Sequence, residues 1–448
     1  MNNQPWLKQL LSEGKVYEVG GPVRDHLFGL PLGKDRDYLV CGIPLDRLQS
    51  ILRRHGSVNL VGKSFGVLKF TPEDPESSGT FDIALPRSER STGTGHRDFA
   101  VDFDPNLPVE KDLLRRDFTI NAIARDCATG ELVDPYNGMQ DIADRILRMV
   151  FPGAFRDDPL RILRGAQFVA RFNLKVDPAT HDAMAEAAPL VSTVSLERVA
   201  EELTKLLTLS DKPSVGFLLL QRLGVLRLLI PELEETVGVD QPGGYHAWPV
   251  FEHSLYTVDA APRDLRVRLA ALLHDINKPQ CKEVDGEKAT FYGHEKRGSK
   301  TARSLLRRLR FPHELADEVS LLVERHMFTT DVTDKGMRRL IRWLGPELVY
   351  DLLNLRRADV VAQGKGGTTE DVDELEARIT NEINKKSPFG LKDLAVNGGD
   401  LMRELSLSPG PIIGRILNHL LEIVLDDPER NDAVILLDEA RKYLSDNT

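Results

Sequence analysis

The chain has 448 residues, 41% of them hydrophobic and 29% charged, and a formal net charge of −10 at pH 7. A single hydrophobic core does not grow to this size, so the length predicts two to four domains of a globular protein. The acidic balance argues against indiscriminate nucleic-acid binding, although it allows a locally basic face.

Membrane and secretion signals are missing from the sequence. No apolar run approaches the ~20 residues needed to span a bilayer, so we expect no membrane partner. The first residues, Met1–Trp6, lack the basic and apolar parts of a signal peptide. The cysteines are scattered, without disulfide or metal-ligand spacing: Cys41, Cys127 and Cys281. We therefore expect a cytoplasmic protein.

The first functional pattern is a strand that ends in a glycine turn. Val16–Val19 is an apolar run, and Gly20 and Gly21 break it. Pro22 suits the first position of a helix, where its missing N–H costs nothing. Backbone N–H groups at such a turn can hold phosphate oxygens, and Arg24 adds a positive fork.

Two aspartates follow on the next predicted strand. Asp35 and Asp37 are two residues apart, so in a strand both carboxylates point to one face. Carboxylate oxygens are ligands that Mg²⁺ prefers, and two ions can activate an attacking hydroxyl and stabilise a leaving phosphate. The glycine turn and the aspartates together predict a phosphoryl-transfer site.

This order of residues resembles motif A of the nucleotidyltransferase superfamily that includes tRNA nucleotidyltransferases and bacterial poly(A) polymerases. The resemblance implies that Asp35 and Asp37 are catalytic and hold two Mg²⁺ ions. It also implies that Asp82, on a strand predicted near residues 80–85, is a third active-site carboxylate. The polar, glycine-rich segment 87–101 that follows predicts a mobile loop, and we interpret it as a gate beside the site.

A second motif lies within Asp112–Arg125, whose apolar residues suit a helix that faces the core. Its polar residues Arg115, Arg116 and Asp117 match the family's motif B. The resemblance implies that they contact the ribose and triphosphate. Asp134–Gly138 resembles motif C, and we interpret it as mainly architectural.

From Phe151 onward helical periodicity replaces strand patterns, with helices predicted over 159–172, 178–188, 195–207 and 214–229. Asp158, Arg161 and Arg164 have the spacing i, i+3 and i+6, roughly one face of a helix. A carboxylate accepts from the exocyclic amine that cytosine and adenine share, and a guanidinium donates to the adjacent ring nitrogen. Uracil and guanine present a carbonyl and an N–H instead.

One acid–base pair, Asp158 and Arg161, could therefore select C and A without a nucleic-acid template. The segment resembles the family's motif D, except that Asp157 stands where Glu is usual. The substitution affects only the first position of the motif.

Histidines and aspartates on helical segments form a second candidate site. His294 and His326 lie in the same region, but the ordered set that resembles an HD phosphohydrolase domain is His253, His274, Asp275 and Asp359. The resemblance implies that these four bind a divalent metal, for which imidazole and carboxylate suit Mn²⁺, Ni²⁺, Fe²⁺ or Zn²⁺. Asn277 replaces a frequent Gly after the His-Asp pair.

A basic helical stretch stands out in this acidic protein: Lys296, Arg297, Lys300, Arg303, Arg307, Arg308 and Arg310. A solvated helix face is one interpretation, and a track for an RNA phosphate backbone is the other. The segment 393–431 resembles the C-terminal tail of bacterial CCA-adding enzymes.

These resemblances cover almost the whole chain and predict an α+β fold. We expect a small mixed-sheet nucleotidyltransferase head (1–150), an extended all-α neck that selects the nucleobase (151–235), an α-helical HD domain (236–365) and an α-helical, tRNA-binding tail (366–448). The whole is similar to HD-containing bacterial tRNA nucleotidyltransferases of class II.

The expected function is template-independent addition of CCA to the tRNA 3′ end from CTP and ATP, with release of pyrophosphate. In this hypothesis Gly20, Gly21 and Arg24 join the motif B residues at the nucleotide, and Arg164 lies beside the selecting pair. Alternatives are an A-adding or CC-adding enzyme, a poly(A) polymerase, a mainly HD-type RNA end phosphohydrolase and a non-enzymatic RNA-binding module. The sequence leaves the oligomeric state open.

Overall fold

The computed structural model describes residues 4–31, 33, 36–61, 67–74, 79–91, 99–244, 246–285, 288–385 and 387–446, and gives only the backbone for 61, 88–91, 99–102, 285 and 288. Asp35 therefore lies outside the described residues. Two compact units divide the chain, Met1–Pro231 and Glu232–Thr448.

The first unit contains a seven-stranded sheet and short two-stranded ribbons. Its strands are β1 (Lys15–Val19), β2 (Arg36–Cys41), β3 (Gly56–Val61), β4 (Val67–Pro72), β5 (Phe81–Ala84), β6 (Arg87–Ser91), β7 (Phe99–Phe103), β8 (Ala124–Asp126), β9 (Leu132–Val133), β10 (Ile146–Leu147) and β11 (Lys175–Val176). The sheet order is β3-β4-β5-β2-β1-β8-β9. Only the β2–β5 pair in it is parallel, so the sheet is mixed, as predicted.

Helices cover both faces of this sheet and then continue without it. They are α1 (Pro5–Glu13), α2 (Gly21–Leu27), α3 (Leu45–Leu52), α4 (Val109–Leu114), α5 (Gly138–Ala143), α6 (Ala154–Asp157), α7 (Leu160–Phe172), α8 (Pro178–Ala187), α9 (Leu196–Leu209), α10 (Pro213–Arg222) and α11 (Val225–Leu229), and α12 (Pro231–Glu234) begins at the boundary between the units. The predicted α+β class is confirmed.

Alternation along β2 explains why Asp37 faces the site. Tyr38 and Val40 enter the core that contains Trp6, while Leu39 enters the opposite core with Val19. Because strand side chains alternate, Asp37 lies on the face of Leu39. The antiparallel register places Asp37 opposite Val19, the last residue before the glycine turn.

Three predicted elements differ in the structure. The single helix over 214–229 is wrong, because Gly224 takes a left-handed φ of 73° between α10 and α11. The continuous motif B helix is also wrong, since α4 ends at Leu114 and a short 3₁₀ turn follows at Thr119–Asn121. The predicted loop at 87–101 contains a hairpin of β6 and β7, and residues 92–98 lie outside the description.

The second unit is almost entirely helical. Its helices are α13 (Val250–Ala260), α14 (Leu265–Leu273), α15 (Lys278–Cys281), α16 (His294–Arg308), α17 (His313–Arg325), α18 (Asp334–Ala362), α19 (Glu370–Asn384), α20 (Gly398–Glu404), α21 (Pro411–Asp426) and α22 (Ala433–Asp446), and β12 (Glu283–Asp285) pairs with β13 (Lys288–Thr290). Gly345 and Pro346 interrupt α18. Within the described ranges, none of the helices is both long and apolar enough to cross a membrane.

Candidate active site and candidate metal centre

A cavity of about 530 Å³ in the first unit collects residues from the sheet and from the following helices. All but two of the residues predicted for the nucleotidyl-transfer site are found among the described residues that line it. The lining comprises Gly20, Gly21, Arg24, Asp37, Arg115, Arg116, Asp117, Asn121, Asp158, Leu160, Arg161, Arg164, Gln167, Phe168, Arg171, Arg198, Glu202, Lys205 and Leu209.

The two exceptions concern the carboxylates. Asp82 pairs in register with Asp37 on the parallel neighbouring strand, but it is not among the described residues that line the cavity. Asp35 lies outside the described residues. Asp37 is thus the one predicted motif A carboxylate that the structure locates in the cavity wall.

The glycine turn brings backbone close to charged side chains. Gly20 has a φ of 76°, a backbone conformation that residues other than glycine rarely adopt. A Cβ there would also lie 2.9 Å from the Arg116 guanidinium. This position therefore favours glycine for its backbone conformation, and a larger residue would also require the Arg116 guanidinium to shift. Gly21 begins α2, so the first N–H groups of that helix lie beside the cavity.

A buried chain of hydrogen bonds fixes two arginines of the cavity. The Asn121 amide oxygen accepts from Arg24 at 2.7 Å, and its amide nitrogen donates to Asp117 at 2.8 Å. The other Asp117 oxygen accepts from Arg164 Nε at 2.8 Å. Burial raises the pKa of Asp117, but the Arg164 charge and the Asn121 bond more than reverse this and lower it to about 2. Asp117 is therefore ionised and orients Arg164.

A second buried carboxylate, Asp112, lies beside the two arginines of motif B. It is fully buried, 2.8 Å from Arg115 and 3.6 Å from Arg116. Sequence reasoning named both arginines but not this partner.

Asp158 and Arg161 both line the cavity, but their geometry differs from the prediction. Asp158 precedes α7 in an extended conformation (φ −139°, ψ 97°), so, contrary to the prediction, it does not share a helix with Arg161 and Arg164. Its carboxylate accepts from Arg198 on α9 at 2.9 Å. Arg161 instead donates to the backbone carbonyl of Arg115 at 2.7 Å. Each member of the predicted selecting pair is thus held by its own partner.

Helix α9 supplies cavity residues that were not among the predicted site residues, although the sequence places Arg198 in a helical motif of the family. Arg198, Glu202 and Lys205 recur at i, i+4 and i+7, the spacing of one helix face, and this pattern could have revealed them. Gln167 and Glu202 are buried, and the Gln167 amide nitrogen and the second Glu202 oxygen have no hydrogen-bond partner among the described residues. Buried polar atoms without partners are costly, so they suit contacts to a bound molecule.

The second unit brings six buried side chains into two adjoining groups. His253, His274 and Asp359 offer ligand atoms within 4.8 Å of one another, and Asp275, His294 and His326 form a matching group. The four residues predicted from the resemblance are all present, but Asp275 lies with the two histidines that the predicted set omitted. Its oxygens lie 3.1 Å from His274 and 3.3 Å from His294, so it joins the groups.

The ring orientations fit metal binding. His274, His294 and His326 each place Nδ1 2.7–2.8 Å from the carbonyl three residues earlier. A donating Nδ1–H leaves the lone pair on Nε2, the arrangement of metal-bound histidines. The Nε2 atoms of His294 and His326 face each other at 3.2 Å, where two acceptors repel unless a cation lies between them.

Electrostatics also favour a cation. Burial raises the pKa of Asp275, but its contacts with the His274 ring and the Lys278 ammonium group hold it well below its usual value. Burial and the nearby His274 lower the pKa of His326 to about 3. A charged carboxylate beside neutral imidazole is the donor set of a divalent transition metal.

Family models match the same regions of the chain. Residues 16–148 match the "Poly A polymerase head domain", 173–236 match an "RNA and SrmB- binding site of polymerase A", and 291–440 match "tRNA nucleotidyltransferase domain 2". The chain is thus an enzyme of the nucleotidyltransferase class, as the sequence predicted.

Curated relatives narrow this class. A multifunctional CCA protein of Xanthomonas campestris pv. campestris (strain B100) is 40% identical over 401 residues, 86% of this chain and 93% of the relative. One of Actinobacillus pleuropneumoniae serotype 5b (strain L20) is 37% identical over 374 residues, 79% of this chain and 86% of the relative. The chain belongs to the family of the multifunctional CCA proteins.

A solved structure shares the fold. The Bacillus stearothermophilus CCA-adding enzyme in complex with CTP superposes with a TM-score of 0.72, covering 99% of this chain and 97% of that one at 23% identity. The predicted family resemblance is confirmed. Membership also implies a divalent metal, for which the chain has suitable acidic and histidine groups.

Proposed function

We propose that this protein adds CCA to the 3′ end of tRNA from CTP and ATP, without a nucleic-acid template. One observation carries the proposal: Asp37, the arginines of motif B, and Asp158 with Arg161 line one cavity. A site with a metal-binding carboxylate, cations for a triphosphate and a base-selecting pair has the parts that this reaction needs. The names of its relatives support the same activity.

The proposed chemistry assigns a task to each group of residues. The tRNA 3′-hydroxyl attacks the α-phosphorus of the nucleotide, and pyrophosphate leaves. Asp37, with Asp35 by its spacing, would hold Mg²⁺, which lowers the pKa of the attacking hydroxyl and stabilises the leaving oxygens. The N-terminus of α2, Arg24 and Arg116 bind the triphosphate. Arg24 donates a hydrogen bond to Asn121 and Arg116 forms an ion pair with Asp112, so both arginines are held in place before the nucleotide binds.

Base selection follows from two different tethers. Arg198 holds the Asp158 carboxylate as an acceptor for the exocyclic amine of C or A. The Arg115 carbonyl holds Arg161 as a donor for the adjacent ring nitrogen. Uracil would place a carbonyl against the carboxylate and an N–H against the guanidinium, so both contacts would be repulsive.

Truncated tRNA distinguishes the proposal from the alternatives. With a tRNA that lacks its terminal CCA, CTP and ATP together should give C, C and A and then stop, because the site selects these two bases only. Single labelled nucleotides and a sequencing gel check the order. Addition of A alone, of C alone or of many A residues would identify an A-adding enzyme, a CC-adding enzyme or a poly(A) polymerase instead.

Two broader expectations remain proposals. The predicted boundaries at residues 150 and 235 are supported by the ends of two family matches, at 148 and 236, and the structure itself divides at 231. The predicted boundary at 365 lies inside the third match, 291–440. A cytoplasmic location is supported by the three free cysteines.

The buried histidine cluster supports a second activity, hydrolysis of phosphate esters at RNA ends. Two ligand groups joined by Asp275 would hold two divalent ions. Such ions supply a hydroxide nucleophile at neutral pH. Mn²⁺, Ni²⁺, Zn²⁺ and Fe²⁺ all suit the imidazole and carboxylate donors, and we propose a metal of this kind rather than Mg²⁺.

We expect His274→Ala to abolish phosphohydrolase activity and to leave CCA addition unchanged, because His274 belongs to the metal centre alone. The assay compares the hydrolytic opening of a 2′,3′-cyclic phosphate at an RNA end to a phosphomonoester, in the presence of each metal, with nucleotide addition by the same preparation. His313→Ala, on the exposed start of α17, is the control. A variant that retains full hydrolysis would contradict the assignment.

A further inference from the structure

We propose that one face of α16 is a binding track for the phosphate backbone of single-stranded RNA, which guides an RNA end to the metal centre. The part of this inference that concerns guidance to the metal centre rests on the proposed hydrolytic activity. Its physical basis is independent, because it comes from a charged surface outside both candidate sites.

The cationic side chains of this face form one row. Lys296, Lys300, Arg303 and Arg307 are separated by four, three and four residues, so they share one side of the helix. All four are exposed, and all four line the same cavity of about 580 Å³. With 1.5 Å of rise per residue the row is about 16 Å long, enough for several phosphates.

Neighbouring acidic groups neutralise only part of the row. Asp317 on α17 pairs with both Arg303 and Arg307, at 3.0 and 2.8 Å. Glu324 also lines the cavity and lies 3.7 Å from Arg325. Four cations thus face two carboxylates, with Asp317 at the arginine end and Glu324 at the lysine end, because the Ser299–Ser320 hydrogen bond shows that α16 and α17 run antiparallel. The row keeps a net positive charge, and at the lysine end Lys296 and Lys300 form no ion pair with the described residues.

That end is also the end near the metal centre. His294, a member of the second ligand group, is the first residue of α16, two residues before Lys296. Tyr292, two residues before His294, is 83% exposed. An exposed aromatic ring can stack on a nucleobase, while lysines and arginines follow the backbone. Along the chain, an exposed aromatic ring comes first, a metal ligand follows it, and the cationic row comes last. This order fits an RNA strand better than a free nucleotide.

The matched variants remove equal charge from two faces of one helix. K296Q/K300Q changes the proposed track, whereas R297Q/R308Q changes the other side, where Arg297 and Arg308 bond to Gln280 and Glu232. The probe is a short single-stranded RNA with a 2′,3′-cyclic phosphate end and 4-thiouridine near it, used with the full chain and without CTP or ATP.

We expect K296Q/K300Q to raise KM for this RNA about tenfold, and to lower the slope of log binding against log salt by about 1.4, because two phosphate contacts are lost. The ratio of RNA hydrolysis to hydrolysis of a 2′,3′-cyclic mononucleotide should fall. Photo-crosslinks of the wild type should map to α16. R297Q/R308Q should retain the salt slope, with thermal melting as a check on both variants.

The outcomes separate the two proposals. Crosslinks to α16 that are lost in K296Q/K300Q, with no hydrolysis of any substrate, would support the track and contradict the phosphohydrolase. Crosslinks that map only elsewhere, or equal effects of the two double variants, would overturn the track even if hydrolysis occurs.

Discussion

Asp37→Asn should reduce nucleotide addition on the order of 10³-fold, because the site loses a charged metal ligand while the cavity keeps its shape. Asparagine has almost the same volume as aspartate, so the β1–β2 register beside the glycine turn should persist. The measurement is the single-turnover rate of C addition to a truncated tRNA at saturating CTP and Mg²⁺.

Asp46→Asn is the control, since Asp46 is an exposed acid in the first turn of α3. It should add nucleotides at the wild-type rate. Asp37→Asn should still hydrolyse RNA ends as well as the wild type does, because the second unit holds that centre. Retention of a tenth or more of the addition rate by Asp37→Asn would contradict its assignment as a metal ligand.

Asp158→Asn should change which nucleotides are accepted. The asparagine amide can donate to the uracil carbonyl that the carboxylate repels, so the preference for CTP over UTP should fall by about 10- to 100-fold. Arg161→Ala should lower the efficiency with CTP and ATP alike, because it removes the donor to the ring nitrogen. Competition assays with mixed nucleotides on one tRNA measure both effects as ratios of kcat/KM.

Asp157→Asn is the matched control for base selection. It changes the same residue type at the adjacent position, where the family pattern has Glu, and it should keep the CTP preference. Arg198→Met tests whether Arg198 positions Asp158. It should raise KM for CTP and lower the preference for CTP over UTP together, because Asp158 then loses the hydrogen bond from Arg198. An unchanged CTP-to-UTP ratio in Asp158→Asn would contradict the selecting pair.

Local signals explain what the sequence could predict. The strand before Gly20, the glycine turn and the aspartate strand are decided by residues close together in the chain, and the structure has β1, α2 and β2 there. One incorrect prediction, that Asp158 and Arg161 lie on one helix face, also has a local cause. Asp158 precedes Pro159, and a residue before proline avoids the α-helical region, so it could not share a helix face with Arg161.

Other features depend on contacts between distant segments. Arg24 and Asn121 are 97 residues apart, and Asp158 and Arg198 are 40 apart, so only the folded chain pairs them. Beyond the end of α4 at Leu114, the Asp117 carboxylate accepts from the Phe118 N–H and the Asn121 amide, and periodicity does not reveal such side-chain bonds. The second ligand group needed His294 and His326 to meet across two helices.

A crystal structure with CTP and Mg²⁺ would show which side chains contact the base. We expect the cytosine amine on the Asp158 carboxylate, the adjacent ring nitrogen on Arg161, the triphosphate between Arg24, Arg116 and the N-terminus of α2, and metal on Asp37. A nucleotide whose base contacts neither Asp158 nor Arg161 would contradict selection by the protein side chains.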